Sequence, residues 1–252
     1  MKQLFILFAV LLMVCSCSDE ILNEDNHQTI LGSTNVTFSY DSITQPSNWL
    51  AYRSFQERFD ACQIPDSLLH VIPTSELIEL CASHPMNGIY LASDNPNDGI
   101  RYMVNNFNGI AELKRRSDVV DEILSFYSEF DLTNVSNKPY VISITGRNGS
   151  KYNIYGFCFM ELLIAANTFP QLYTNNAAER LEQISYKLYE EKLINRTLSN
   201  SLIVKSSLMV QAQIALHNRP LSTDEKATLE LFLHNGGNGY SLTSVSKILY
   251  RQ

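Results

Sequence analysis

The sequence predicts a mainly α-helical globular domain of many helices, with one short β-hairpin near residues 140–155. From residue 47 onward, apolar residues recur three or four positions apart over most of the chain, which is the spacing of one helix face. Residues that favour helix starts and ends flank these segments. The hairpin is predicted because an Asn-Gly pair, which favours tight hairpin turns, follows alternating apolar residues at 140–144.

The first helices are predicted from residue 47 and from residue 74. The stretch SNWLAYRSFQERFDACQ carries aromatic residues at helical intervals, and we interpret this stripe as core rather than as a binding site. Its members are Trp49, Tyr52, Phe55 and Phe59. A further helix is predicted after Pro73, with Thr74 or Ser75 as its N-cap and an acidic residue in its first turn.

The helix predicted over residues 96–107 has the most complete set of local signals. Asn95 can cap its first amide groups, Pro96 suits the first helical position, and Gly109 can end the turn. An apolar stripe at helical spacing is predicted to be buried. Its members are Ile100, Met103, Val104 and Phe107.

Later helices differ in how apolar they are. Residues 118–130 form an amphipathic pattern, YGFCFMELLIAAN predicts a buried helix, and the helix over 202–216 is apolar on nearly every side and is predicted to be central. Ser222 and Glu225 predict a capping box. The succession of helices leaves a helical-repeat arrangement open, but no fixed period relates one pair to the next, which favours a general helical domain.

The N-terminus predicts a secretory signal peptide over residues 1–16. One basic residue, Lys2, precedes a charge-free apolar segment at 4–14, which ends at the small residues Cys15 and Ser16. The apolar segment is too short for a permanent transmembrane helix, which needs about 20 apolar residues.

The sequence Val-Cys-Ser-Cys at 14–17 resembles the lipobox of bacterial lipoproteins. That resemblance implies that Cys17 becomes the first mature residue and carries a diacylglycerol and a fatty acyl group such as palmitate, a multiple anchor that holds far better than one chain. Ser-Asp-Glu at 18–20 resembles the export tag of surface lipoproteins of Bacteroidota-type bacteria. We therefore expect an outer-membrane lipoprotein exposed at the cell surface, with Cys15 removed.

The expected organisation is a signal peptide at 1–16, a lipidated flexible tether at 17–34 and a mainly helical domain at 35–252. Residues 74–127 resemble a segment of a family of secreted or lipid-anchored proteins of gut bacteria. This resemblance implies no particular activity. Some members of that family carry a cysteine-histidine hydrolase motif further downstream. This sequence has no Asn-Cys-His run, which weakens an enzymatic interpretation.

Composition argues against several kinds of site. The formal net charge of −7 argues against a nucleic-acid partner. The five histidines are scattered without metal-ligand spacing, and HNGGNG at 234–239 lacks the Lys-Ser/Thr of a phosphate loop, so neither a metal nor a cofactor is predicted. Beyond the signal region, Cys62, Cys81 and Cys158 are too few and too far apart for a disulfide framework, although one bridge stays open.

The best local candidate for nucleophilic catalysis is Cys81 with His84, which lie three positions apart near the end of a predicted helix. A histidine at that place more often interacts with the helix dipole, so we predict no catalytic residue from the sequence.

Beside a structural or accessory role in an envelope complex, which stays open, two specific functions remain. The favoured one is an anchored surface module that binds an extracellular protein, peptide or glycan. The alternative is a secreted hydrolase with a site assembled from dispersed residues. Cys17, as the lipidation site, is the one functional residue that the sequence predicts by position.

Overall fold

A computed structural model describes residues 38–132, 154–195, 201–239 and 241–250, which all belong to one contact unit, Val36–Gln252. In these residues all of the regular secondary structure is helical, so the prediction of a mainly α-helical globular fold is confirmed. The predicted signal peptide, Cys17 and the tether lie outside the described residues.

The helices follow one another closely along the chain. They are α1 (Asp41–Thr44), α2 (Pro46–Ala51), α3 (Phe55–Ala61), α4 (Asp66–Leu69), α5 (Thr74–Ala82), α6 (Ile89–Ala92), α7 (Pro96–Asn106), α8 (Asn108–Leu113), α9 (Val119–Ser128), α10 (Ile154–Ala165), a 3₁₀ turn (Pro170–Tyr173), α11 (Asn175–Ile194), α12 (Ser201–Asn218), α13 (Thr223–His234) and α14 (Leu242–Leu249).

The β-hairpin predicted near 140–155 is not borne out. Most of that segment, up to residue 153, lies outside the described residues, and its last two positions, Ile154 and Tyr155, are the first turn of α10. The described ranges contain no strand. The apolar density that follows the Asn-Gly pair favours helix α10, which buries almost every side chain, over the second strand of a hairpin.

The aromatic stripe from Trp49 to Phe59 is only partly core. The chain is extended at Tyr52 and Ser54, so α2 and α3 are two short helices rather than one. Phe59 is buried, whereas Phe55 keeps 42% of its surface exposed and Trp49 is half-buried. The break occurs where Ser54 caps α3 by accepting a hydrogen bond from the Glu57 amide.

Helix α12 is the centre of the domain, as its all-round apolar sequence predicts. It packs against α10, α11, α13, α14 and the 3₁₀ turn. Helix α10 lies beside it and is buried along its whole length except at Tyr155. Gly156 permits a close approach of α10 to α5, because a Cβ atom there would lie 2.1 Å from the carbonyl oxygen of Ala82 at the end of α5.

Helix α7 begins as its sequence predicts, but its end differs: the helix stops at Asn106 before an extended Phe107, and Gly109 lies inside α8 instead of ending the turn. The Asn95 side chain accepts a hydrogen bond from the Asn97 amide at 3.0 Å, and Pro96 occupies the first helical position. Phe107 is 1% exposed, so the predicted burial of the end of the apolar stripe is confirmed. Its ring packs edge-on against His84 at a centroid distance of 4.4 Å.

Candidate functional site

The structure buries the one sequence-local catalytic candidate. Cys81 is 0% exposed, and His84, which follows the end of α5, is 1% exposed. Burial raises the pKa of the Cys81 thiol, so the thiol stays protonated and is a poor nucleophile. The pair therefore lacks both the reactive thiolate and the access to substrate that nucleophilic catalysis requires.

His84 lies among three aromatic rings instead. Phe107, Tyr40 and Phe59 surround it at centroid distances of 4.4, 5.4 and 5.6 Å. Its Nδ1 accepts a hydrogen bond from the Met86 amide at 3.0 Å, which assigns the proton to Nε2. Burial lowers the pKa of His84 to about 3. The imidazole is consequently a neutral core group at physiological pH.

The three cysteines of the helical domain are free and buried. Burial raises the pKa of Cys62 to about 12 and that of Cys158 to about 11, although Lys192 opposes the second change. None of these thiols is joined in a disulfide, which answers the question that the sequence leaves open.

The sequence does not predict the ion pair that lies fully buried in the domain. Glu161 of α10 and Lys192 of α11 are both 0% exposed, and the Lys192 ammonium donates to the Glu161 carboxylate. Hydroxyl groups supply the remaining contacts: Tyr127 and Ser207 each donate to Oε1 of Glu161 at 2.6 Å, and Ser206 donates to Oε2. Lys192 Nζ also donates to Ser207 at 2.8 Å and to Ser206 at 3.3 Å.

This arrangement is structural rather than catalytic. A serine beside a lysine can be an activated nucleophile, but only if the lysine can accept a proton. Lys192 uses its three N–H groups on Glu161, Ser206 and Ser207, and no solvent reaches any of them. The complete hydrogen bonding offsets the cost of burying two charges and joins α9, α10, α11 and α12 at one point.

An open cleft of about 610 Å³ lies between α7, the end of α10 and the end of α13, and α12 contributes Gln213 to its lining. Its volume is within the about 300–1,000 Å³ that is typical of ligand sites. The side chains around it are Asn97, Ile100, Arg101, Val104, Lys114, Ala165, Ala166, Asn167, Thr168, Pro170, Gln213, Leu233 and His234.

The charges of the cleft are all positive. Arg101 and Lys114 line it, and the lining includes neither aspartate nor glutamate. Lys114 is exposed and makes no ion pair with any described residue, and Arg101 pairs with Asp98 at 2.8 Å, where both side chains are mostly exposed. Because an exposed pair of this kind contributes little, Arg101 can exchange its partner for a ligand. In a chain with net charge −7, this local excess of cations favours an anion.

The helix ends around the cleft do not oppose an anion, because their carbonyl groups are capped. Asn97 donates to the carbonyls of Leu233 and His234 at the end of α13, and Asn95 donates to the latter at 2.8 Å. At the end of α10, Asn167 adopts a left-handed conformation with φ 57° and forms a tight C-terminal turn. The last carbonyl groups of both helices thus already accept hydrogen bonds from within the chain.

Sequence reasoning missed both the buried pair and the cleft. A visible signal existed for the pair, because Glu161 and the two adjacent serines interrupt otherwise apolar helices. For the cleft there was no local signal, since Arg101, Lys114 and His234 come from separate parts of the chain.

The described part of the chain is, in class, an all-helical domain with a buried polar centre and an open cationic cleft. Within it, no three histidine, cysteine, aspartate or glutamate side chains come together as a metal site. None of its helices is both long and apolar enough to span a membrane. Comparisons of the chain with protein-family models, curated proteins and solved structures find no match.

Proposed function

We propose that this chain is a lipid-anchored protein of the outer membrane, exposed at the cell surface, whose helical domain binds an extracellular ligand that carries a negative charge. The resemblance of residues 14–17 to a lipobox supports the anchor at Cys17, and the acidic residues Asp19 and Glu20 support the surface location. The observation that carries the ligand class is the cleft, which contains Arg101 and Lys114 but no carboxylate.

The cleft can bind an anion and an apolar group together. Arg101 offers a planar fork of N–H donors that matches a carboxylate or a phosphate, and Lys114 offers a second cation. Ile100, Val104 and Leu233 supply apolar surface beside these charges. This combination favours a binding role, because the one hydroxyl of the lining, that of Thr168, forms no hydrogen bond to His234 or Lys114 that would activate it as a nucleophile.

The hydrolase alternative has no comparable support among the described residues. Cys81 and His84 are buried in the core, and Ser206 and Ser207 contact a lysine that is already paired with Glu161. Neither group is open to a substrate.

The cleft is tested by titrating the full mature chain with succinate and with inorganic phosphate, and following amide shifts by NMR. Replacing Arg101 or Lys114 by glutamine is expected to weaken binding by about tenfold, because each change removes one charged donor. Added salt is expected to weaken binding as well.

Two controls belong to this experiment. Succinamide has the shape of succinate without its charge and is expected not to bind, and Arg115→Gln changes an exposed base outside the cleft and is expected to leave affinity unchanged. Equal affinity of the wild type and the Arg101→Gln/Lys114→Gln double variant for both anions would exclude the cleft as the anion site.

A further inference from the structure

A second, smaller cavity lies on another face of the domain, between α11, α12 and the residue that follows α14. Its volume is about 300 Å³, at the lower end of the range for ligand sites. Tyr186 forms part of its wall, Gln211 of α12 is 4% exposed, and Tyr250 closes one side. It shares no lining residue with the cationic cleft.

The cavity contains an unfilled hydrogen-bonding position. Oε1 of Gln211 accepts a hydrogen bond from the Tyr250 hydroxyl, whereas the buried Nε2 has no partner among the described residues. Buried polar groups in proteins almost always have a partner, so this amide needs one beyond the described residues, and a bound ligand can supply it. If the side-chain nitrogen and oxygen of Gln211 were exchanged, a buried acceptor instead of a buried donor would lack a hydrogen-bond partner.

The charges around the cavity restrict what can fill that position. Glu179 and Glu182 line it, and its one cation, Arg219, already donates to Glu182 and to the carbonyl of Leu249. The two carboxylates disfavour an anion. An ammonium ion has donors only and cannot accept from Nε2 of Gln211. A hydroxyl group both donates and accepts, so it can serve the amide and a carboxylate together.

An aromatic face stands beside these polar groups. Tyr186 is 46% exposed, and its ring meets Tyr250 edge to face at a centroid distance of 5.1 Å. The Tyr250 ring in turn stacks on Tyr189 at a centroid distance of 5.8 Å. The ring that contacts the exposed Tyr186 is therefore itself held by packing. The negative face of such a ring attracts the weakly positive C–H groups on one face of a saturated, hydroxylated ring.

We propose that this cavity is a binding site for a neutral saccharide. One sugar ring stacks on Tyr186, one of its hydroxyl oxygens accepts from Gln211, and its hydroxyl hydrogens donate to Glu179. The site is independent of the anion cleft, and neither proposal requires the other.

The test uses the full mature chain in a detergent without a sugar headgroup. The probes are the methyl glycosides of glucose, galactose, mannose and N-acetylglucosamine, and saturation-transfer NMR measures their affinities. At least one probe is expected to bind saturably. Tyr186→Ala is expected to weaken that binding by about tenfold or more, because the stacking face is lost. Gln211→Met, which keeps the side-chain length, is expected to weaken it by about tenfold.

Tyr52→Ala removes a half-buried tyrosine that lines neither cavity and is expected to leave the affinity for glycosides unchanged. The Arg101→Gln variant is expected to bind glycosides as the wild type does, which separates this site from the cleft. The proposal is overturned if no glycoside binds saturably, as when water alone fills the position. It is also overturned if Tyr186→Ala leaves the affinity unchanged, or if methylammonium or acetate binds there and the glycosides do not.

Discussion

Replacing Lys192 by methionine is expected to lower the free energy of unfolding by about 3–5 kcal/mol, because the Glu161 carboxylate is then left buried without its counter-charge. The methionine side chain fills nearly the same volume, so the loss comes from electrostatics rather than from a cavity. Both partners are fully buried, so solvent cannot replace the ammonium. Denaturant unfolding at neutral pH measures the effect.

Helix α11 offers a matched control for this substitution. Lys187 forms an ion pair with Glu191 at 3.7 Å, and its side chain is 70% exposed. Lys187→Met is expected to cost at most about 0.5 kcal/mol. Adding Glu161→Gln to Lys192→Met is expected to recover part of the loss, since no buried charge remains. If Lys192→Met is no more damaging than Lys187→Met, the buried pair does not hold the four helices together.

Acidification is expected to destabilise the domain through His84. The pKa of His84 is about 3 in the folded chain against 6.5 for a free imidazole, so the unfolded chain binds a proton first as the pH falls. Stability from this group is therefore complete above about pH 6.5 and is lost progressively towards pH 3. Between pH 7 and pH 4 the expected loss is about 3 kcal/mol.

His84→Asn isolates this contribution from the other groups that titrate in acid. The asparagine oxygen can take the place of Nδ1 as the acceptor for the Met86 amide, but it cannot be protonated in this range. Two neighbours, Tyr40 and Cys81, have raised pKa values and keep their charge state between pH 3 and pH 7. The stability of the variant should thus fall less steeply with acid. Parallel pH profiles for wild type and variant would show that His84 is not the buried, neutral group described above.

The helices that sequence predicts best are those with signals a few residues apart. Asn95 and Pro96 begin α7 as expected. Ser222 and Glu225 form the predicted capping box at α13, with the Ser222 amide donating to the Glu225 carboxylate at 2.8 Å. Such contacts join residues that are near neighbours in the chain, so the spacing of residue types in the sequence predicts them.

Contacts between segments that are far apart in the chain cannot be predicted from local spacing. Arg116 is the last of three consecutive basic residues, a pattern typical of an exposed helix end, yet its guanidinium donates to the carbonyls of Leu69 and Ile72 at 2.7 and 2.6 Å. Thr74, a candidate N-cap of α5, instead donates to the Asp118 carboxylate at 2.8 Å. In each case the polar side chain has a tertiary partner more than forty residues away, and local propensity does not identify it.

The candidate sites show the same limit. Lys192 lies on an amphipathic helix among other charged residues, and only the packing of α11 against α9 and α12 buries its side chain beside Glu161. The cationic cleft depends on α7 and α13 meeting through Asn95 and Asn97. Periodicity predicts that such helices exist, but it does not predict which faces meet.

The proposal of an anchored surface protein depends most directly on Cys17, and mass spectrometry of the N-terminal peptide from cell membranes tests it. The expected peptide begins at Cys17 and carries the mass of a diacylglycerol and an additional acyl chain. Cys17→Ala is expected to release the protein from membranes, because two or three acyl chains supply the anchor, whereas Cys15→Ala is expected to stay membrane-bound. An unmodified Cys17, or equal membrane retention of the two variants, would contradict the proposed anchor.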